Sequence, residues 1–444
     1  MNKRITKEPA VLILAAGYIL FFSLISILRY HTFDYNDFDL AIHTQIVWNI
    51  LHGSIHSSIL GISFLGNHMS LILFLIAPVY ALFSTPLTLL LLQTLFIGLG
   101  VIPLYLLARD ILDRKFALLF CLLYLLYPVL HFVNYFEFHP VSLAMLFLLS
   151  MVYYFEKEKF IPFLCFMFLS LLCKENISPG VFFFGLYVLF FRRRSWKWSL
   201  TPLLITGVWL ILELRIMAFF NQGIIDFNWL YSYLGRTMPE AVIDIFRHPL
   251  IVLKYIFTEA NMRFLFQLLL PLAFLCLLSP KVLFIAISFF PQQLLSLRLT
   301  DHVIYYHYTA KLVPFLFISA EFLPKLSSRK EVYSFHHVYI GKYTLSDTEY
   351  VLPEDVEYAL IDFNDYSTFT SFYSPHQYKN LQKFFSKGKW GLLTAADNIT
   401  LFKKGYKSGK KLCQVLKEPS LLSSMKFLIE DSVAIREYKM NIIS

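Results

Sequence analysis

Charge is scarce in this chain. Asp, Glu, Lys and Arg make up 16% of its 444 residues, against about 25% in a soluble globular domain, which excludes an ordinary water-soluble fold for most of its length. Cysteine is scarce too. Cys121, Cys165, Cys173 and Cys276 sit inside apolar segments, and Cys413 stands alone in the C-terminal part. No Cys-x-x-Cys pair occurs, so neither a disulfide framework nor a zinc site is indicated. Internal repeats and low-complexity segments are missing as well, which sets aside a solenoid.

What is there is apolar. Hydrophobic residues make up 57% of the chain and aromatics 18%, with a mean hydropathy of +0.59. Apolar runs recur at about 9–29, 86–108, 115–134, 140–155, 160–173, 177–191, 199–220, 264–279, 281–298 and 303–323. A helix that crosses a bilayer needs roughly 20 such residues, so the sequence predicts an α-helical polytopic protein of the cell membrane. The first run follows Met1-Asn2-Lys3-Arg4 and is too long for a signal-peptide core, so it reads as a retained anchor with its N-terminus inside. The net charge of +9 follows from basic loops and a Lys-rich tail, and no nucleic-acid partner is inferred from it.

The ionisable residues are sorted. Arg109 with Arg114-Lys115, Lys157 with Lys159, and Arg192-Arg193-Arg194 with Lys197 mark one side; Asp39, His68, Glu137-Phe138-His139 and Glu175 mark the other. Cytoplasmic loops are rich in Lys and Arg, which places the acids and histidines at the outer surface. This alternation holds only if residues 69–84, interrupted by Pro78, form a short interfacial helix instead of a full crossing. Ionisable groups gathered at a lipid boundary are costly and suggest a functional site.

Within the first outer loop, 37–52 reads as an amphipathic helix, started by Asn36 or Asp37 and ended by Gly53. Asp39 and His43 are four residues apart and share a face. The plainer reading is a surface helix whose polar face meets water, with Asp39 favouring the helix N-terminus. Lys174-Glu175 directly precedes a helix start at Ile177-Ser178-Pro179-Gly180, where backbone N–H groups suit a phosphate. The alternative there is a mutually neutralising pair. His68 and His139 are each read either as ligands or as interfacial imidazoles with ordinary hydrogen bonds. Tyr305-Tyr306-His307-Tyr308 is an aromatic belt or part of a site.

Asp39-Leu40, Gln45, Trp48-Asn49, Gly53, Gly66, His68, Ser70, Phe138-His139-Pro140, Lys174-Glu175 and His307-Tyr308 together resemble an uncharacterised family of predicted multi-pass membrane proteins, over roughly residues 10–320. That family in turn resembles the GT-C superfamily of integral-membrane glycosyltransferases. The resemblance implies a GT-C-like domain over 1–323 with juxtamembrane helices at 30–84, a catalytic carboxylate after the first span and a lipid-phosphate sugar donor. Asn67 and Asn176 stand where the family pattern has acids. A further span expected after residue 323 is replaced by Pro324-Lys325-Leu326-Ser327-Ser328-Arg329-Lys330. Parity therefore puts the tail inside, while the resemblance puts it outside.

Residues 324–444 read as a separate, small soluble α+β domain. Val356–Asp362 is an expected strand, 378–387 an expected helix, and 390–394 with 399–403 an expected hairpin turning at 395–398. Asn398-Ile399-Thr400 matches a glycosylation acceptor but carries little weight inside a hairpin. The tail shows no Gly-rich phosphate loop, Ser/His/Asp arrangement or metal-ligand cluster.

The expected function is transfer of a sugar from a polyprenyl-phosphate donor at the outer membrane face, with membrane lipid and that donor as partners. Asp39 is the expected base, and Glu175, counted with it as catalytic, orients Lys174 or binds the sugar. Lys174 receives the phosphate, and His68, His139, His43 and His307 line the donor. No cofactor is certain; a divalent metal is the one that Asp39, His68 and His139 leave open. The alternatives are a transporter or lipid flippase, for which Glu213 and Arg215 within 199–220 are the best sign, or an inactive relative.

Overall fold

Prolines decide where many of the apolar runs become helices. The ring fixes φ and removes a backbone N–H, so proline fits a first helical turn and interrupts a later one. The computed structural model describes residues 8–35, 38–192, 194–221, 228–235 and 237–321, with four strands beyond them. Helix α1 spans Pro9–His31 and α2 spans Phe38–Leu51. A two-stranded ribbon, β1 His56–Ser57 against β2 Ile62–Ser63, precedes α3, Ile72–Leu82. Then come α4 Pro86–Ala108, α5 Arg114–Leu125, α6 Pro128–Tyr135, α7 Pro140–Glu156, α8 Phe160–Leu171, α9 Ser178–Phe191 and α10 Lys197–Phe220.

Three of these, α1, α4 and α10, are long and apolar enough to cross a membrane, and α5 with α6, bent by 41° at Pro128, makes a fourth if the pair is one span. Helix α3 has 11 residues with Pro78 inside. At 1.5 Å per residue it is about 16 Å long, well short of the roughly 30 Å hydrocarbon core.

The last three apolar runs depart from expectation. Residues 259–269 form α13, after α11 Met238–Arg247 and α12 Pro249–Ile256. The chain then breaks at Pro271 into 3-10 turns, with Ala273 at φ 47° and Phe274 at φ 57°. Left-handed backbone at such residues ends a helix. The run 281–298 is three short pieces, Pro280–Leu283, Phe284–Ser288 and Phe290–Leu294. Only Val313–Glu321, α14, is α-helical in the run 303–323. Apolar composition does not fix helix length: these segments mix buried side chains such as Phe264, Cys276 and Phe289 with exposed ones such as Leu270, Leu278 and Ile287.

The interior is aromatic. Tyr105, Tyr124, Tyr127, Phe138, Phe155, Phe163, Phe184, Phe264, Phe289, Phe315 and Phe317 are all fully buried. Close packing, more than apolar transfer, holds helices together where lipid is itself apolar. Gly98 permits one such approach: a Cβ there would fall 2.5 Å from Ile19 Cγ1 of α1. Helix α7 carries the two sets of charges at its opposite ends. Glu156, at its C-terminal end, pairs with Arg192 at 2.8 Å, and Lys157, just beyond, pairs with Asp110. His139 precedes its N-terminus.

The chain divides into Met1–Leu323 and Pro324–Ser444. The second unit contains a four-stranded sheet in the order β3-β4-β6-β5, from Val332–Ser334, Tyr358–Asp362, Ile399–Lys404 and Trp390–Ala396. β3 and β4 are parallel; the other pairs are antiparallel. Ala395 and Ala396 pair with Thr400 and Ile399, so the expected four-residue turn is shortened by two. The expected helix at 378–387, the Asn36 or Asp37 cap, Arg193 and residues 397–398 lie outside the described residues.

Candidate functional site

Helix α2 buries Leu40, Ile42, Ile46 and Val47 and leaves Asp39 in its first turn, where a carboxylate suits the positive end of the helix dipole. Its start is tied from far along the chain. The buried Glu137 carboxylate accepts the Leu40 N–H at 2.7 Å through Oε2. Gly53, at φ 76°, follows the helix. Gln45 and Asn49 bond to the β1–β2 ribbon through Ser57, Ser58 and the His56 carbonyl, so these two amides brace structure.

The loop that supplies Glu137 also supplies His139. Gln93 of α4 fixes it, accepting the His139 N–H at 2.9 Å and the Ser142 hydroxyl at 2.8 Å. His139 Nδ1–H donates to the Glu137 carbonyl at 3.0 Å, and Nε2 stands 3.4 Å from Asp39 Oδ2. Each ring nitrogen of His139 thus faces an acceptor, and only a protonated ring satisfies both at once. Its ring stacks on His307, with centroids 3.3 Å apart, and meets the His43 ring at 5.3 Å. His43 Nδ1–H donates to the Asp39 carbonyl at 2.7 Å. Asp39, His43, His139 and His307, named from scattered segments of sequence, are thus brought together.

His68 and Glu175 form a second group. His68 Nδ1–H donates to Glu175 Oε1 at 3.0 Å, and the Met69 N–H donates to Glu175 Oε2 at 3.0 Å. Glu175 therefore does not pair with its neighbour Lys174. Lys174 is 6% exposed, and among the described residues its ammonium has no hydrogen-bond or ion-pair partner. The α9 N-terminus is approached by an acid instead: the Ser178 hydroxyl donates to Glu213 Oε2 at 2.7 Å.

Electrostatics couples the two groups. Burial opposes the charge on Asp39, but His139, His43 and the Lys174 ammonium outweigh it and hold the carboxyl below its usual range. Burial pushes His43 down to about 3 and lowers His139, His307 and His68, so all four imidazoles are neutral near pH 7. Burial also works against Glu175, yet His68 and Lys174 draw it down to about 2. Lys174 is lowered by burial against the pull of Glu175 and Asp39.

As for a metal, no group of three or more His, Cys, Asp or Glu side chains is placed to hold one among the described residues. Of Asp39, His68 and His139, the last turns to Asp39 while His68 turns to Glu175.

Several site residues carried little sequence signal. Glu137 was visible only as part of the Glu-Phe-His-Pro string. Gln93 could have been noticed as a lone amide inside an apolar run. Lys311 falls in a run that reads as a span, and Arg298 ends another; its partner Asp301, at 2.8 Å, lies in the short stretch between the two runs.

Residues 29–323 match the family model described as "Predicted membrane protein (DUF2079)". The chain belongs to this family. The matched segment of this DUF2079 protein contains every residue of both groups and stops where the first structural unit stops. No curated protein and no solved structure matches it.

Proposed function

We propose that this DUF2079 protein is a multi-pass, GT-C-like glycosyltransferase of the cell membrane that moves a sugar from a polyprenyl-phosphate donor to an acceptor at the outer face. One observation carries this reading. A carboxylate at a helix start, Asp39, is backed by His139 Nε2 at 3.4 Å and shares its surroundings with an unpartnered buried ammonium, Lys174.

Asp39 takes the proton from the acceptor hydroxyl as the acceptor oxygen bonds to the anomeric carbon. The bond from that carbon to the phosphate oxygen breaks, and its electron pair leaves with the phosphate. Lys174 stabilises the departing charge, in a buried setting where one ammonium counts for more than in water. A carboxylate with a lowered pKa is a weak base. His139, whose Nε2 stands 3.4 Å from Asp39 Oδ2, orients that carboxylate. Glu175 is ionised and holds the 68–69 segment, so it acts as a positioning group for His68.

In purified membranes, label from a polyprenyl-phosphate sugar is expected to enter a covalent product. Asp39→Asn removes that incorporation while leaving membrane insertion intact. Transfer at the wild-type rate by Asp39→Asn would exclude Asp39 as the base. A transport reading has one observation of its own. Glu213, within candidate span α10, is fully buried, and one of its carboxyl oxygens lacks a partner among the described residues. Substrate movement without any covalent product would favour that reading.

A further inference from the structure

A second buried ammonium belongs to the same surroundings. Lys311, in the turn before α14, is 4% exposed, and its Nζ donates to Gln292 Oε1 at 2.6 Å. Gln292 is held in place: its Nε2 donates to the Ser288 carbonyl at 3.0 Å, and its own carbonyl accepts the Tyr231 hydroxyl at 2.7 Å. It is a fixed acceptor but a neutral one, so it satisfies a hydrogen without balancing the charge. The charged groups that Lys311 faces are Lys174, Asp301, Glu175 and Arg298.

Three of these are already engaged. Asp301 takes both Nε and Nη2 of Arg298, at 3.1 and 2.8 Å, and the Arg298 guanidinium lies over the Tyr308 ring at 4.2 Å. Glu175 is taken by His68 and the Met69 N–H. Asp39 faces His139. What is left over is two buried ammoniums, Lys174 and Lys311, with no carboxylate of their own among the described residues. A sugar joined to a lipid through one phosphate presents one ionised oxygen, and a sugar joined through two phosphates presents two. Two buried cations without counterions suit the second kind of anion.

We propose that the group bound here is a diphosphate, with Lys174 and Lys311 as its two cationic contacts. This rests on the reading of Lys174 as the phosphate receiver and replaces the one-phosphate donor of that reading with a lipid-diphosphate sugar. Burial and the Lys174 charge hold Lys311 down to about 7, against the pull of Asp301 and Glu175 and with Arg298 adding to the depression. Arrival of a diphosphate therefore brings a proton onto Lys311.

The test is calorimetry on the full chain in detergent at pH 7.5. The probes are inorganic pyrophosphate and the methyl esters of farnesyl phosphate and farnesyl diphosphate, which present one and two ionised oxygens as the sugar-linked lipids do. The wild type is expected to bind the diphosphate ester about tenfold or more tightly than the monophosphate ester. Its binding heat should vary with the ionisation enthalpy of the buffer, reporting proton uptake. Lys311→Met and Lys311→Gln are expected to lose both the preference and the buffer dependence while still binding the monophosphate ester. The diphosphate ester binding more tightly than pyrophosphate assigns the group to a lipid, and equal affinity assigns it to a soluble anion; either outcome supports the paired site. Equal affinity of the wild type for the two esters overturns the diphosphate assignment and leaves the phosphate reading standing. Binding of none of the probes overturns both.

Discussion

Replacing Lys174 by Met is expected to stabilise the unliganded protein. Lys174 is 6% exposed and its ammonium has no hydrogen-bond or ion-pair partner among the described residues, so the fold bears a desolvation penalty that the pull of Glu175 and Asp39 offsets only in part. Met keeps the length and the apolar stem and removes the charge. Part of the gain is given back, because Glu175 loses one of the charges that keep it ionised. Glu175 retains His68 and the Met69 N–H at 3.0 Å each, so the balance favours the variant. Stabilisation of about 1–2 kcal/mol, as when other function-bearing strain is removed, raises the melting temperature by very roughly 2–8 °C at about 2–4 °C per kcal/mol.

The sign can be checked by pH. The folded protein lowers the pKa of Lys174 from its ordinary 10.5. The penalty is thus complete below the folded value and fades as pH rises through 10.5, where the unfolded chain also loses its proton. The variant's advantage should shrink over that window. Scanning fluorimetry of wild type and Lys174→Met in one detergent measures both effects. A variant that melts several degrees below the wild type would show that the ammonium is already satisfied by the fold, and would refute its role as a waiting anion contact.

Three further outcomes follow from the same geometry. Glu137→Ala strips the acceptor from the buried Leu40 N–H, costing about 1–3 kcal/mol for the orphaned donor, whereas Glu137→Gln keeps an oxygen there and recovers much of it; equal denaturant midpoints for Ala and wild type would count against the tie. Stability should fall in acid: His43, about 3 when folded against 6.5 ordinarily, resists a proton that the unfolded chain accepts, so about 2 kcal/mol is lost between pH 6.5 and 5. Glu175, held to about 2, adds a loss below its ordinary 4.5. His43→Gln should flatten the slope between pH 6.5 and 5, and an unchanged slope would assign it elsewhere. Gly180→Ala brings a Cβ to 1.9 Å from Phe289 Cζ, and overpacking of about 1–3 kcal/mol should show as a lower melting temperature; a wild-type melt would mean that the ring yields freely.

Some of this was legible from residue order. The α2 helix over Phe38–Leu51, the short α3 helix with its internal Pro78 and the hairpin of β5 and β6 follow from local patterns of period, proline and turn residues. These patterns act within a few residues and survive any packing. The breaks within 264–298 were not legible, because apolar composition reports removal from water, and a broken chain and a continuous helix satisfy it equally. Pro271, with Ala273 and Phe274 in left-handed conformation, decides between them, and only tertiary packing makes that conformation worth adopting.

Sequence alone determined the membrane character, the sorting of basic residues from acids and histidines, and the identity of most of the polar groups that matter. Those are properties of composition and of charge counted along a line. Tertiary structure decided the pairing: Asp39 with His139, Glu175 with His68 instead of Lys174, and Glu137 with the α2 N-terminus 97 residues away in sequence. The physical reason is that burial makes each ionised group seek whichever partner the helix packing brings near, and neighbours in sequence hold no privilege in that competition. Lys174 and Lys311 are what the competition leaves without an opposite charge.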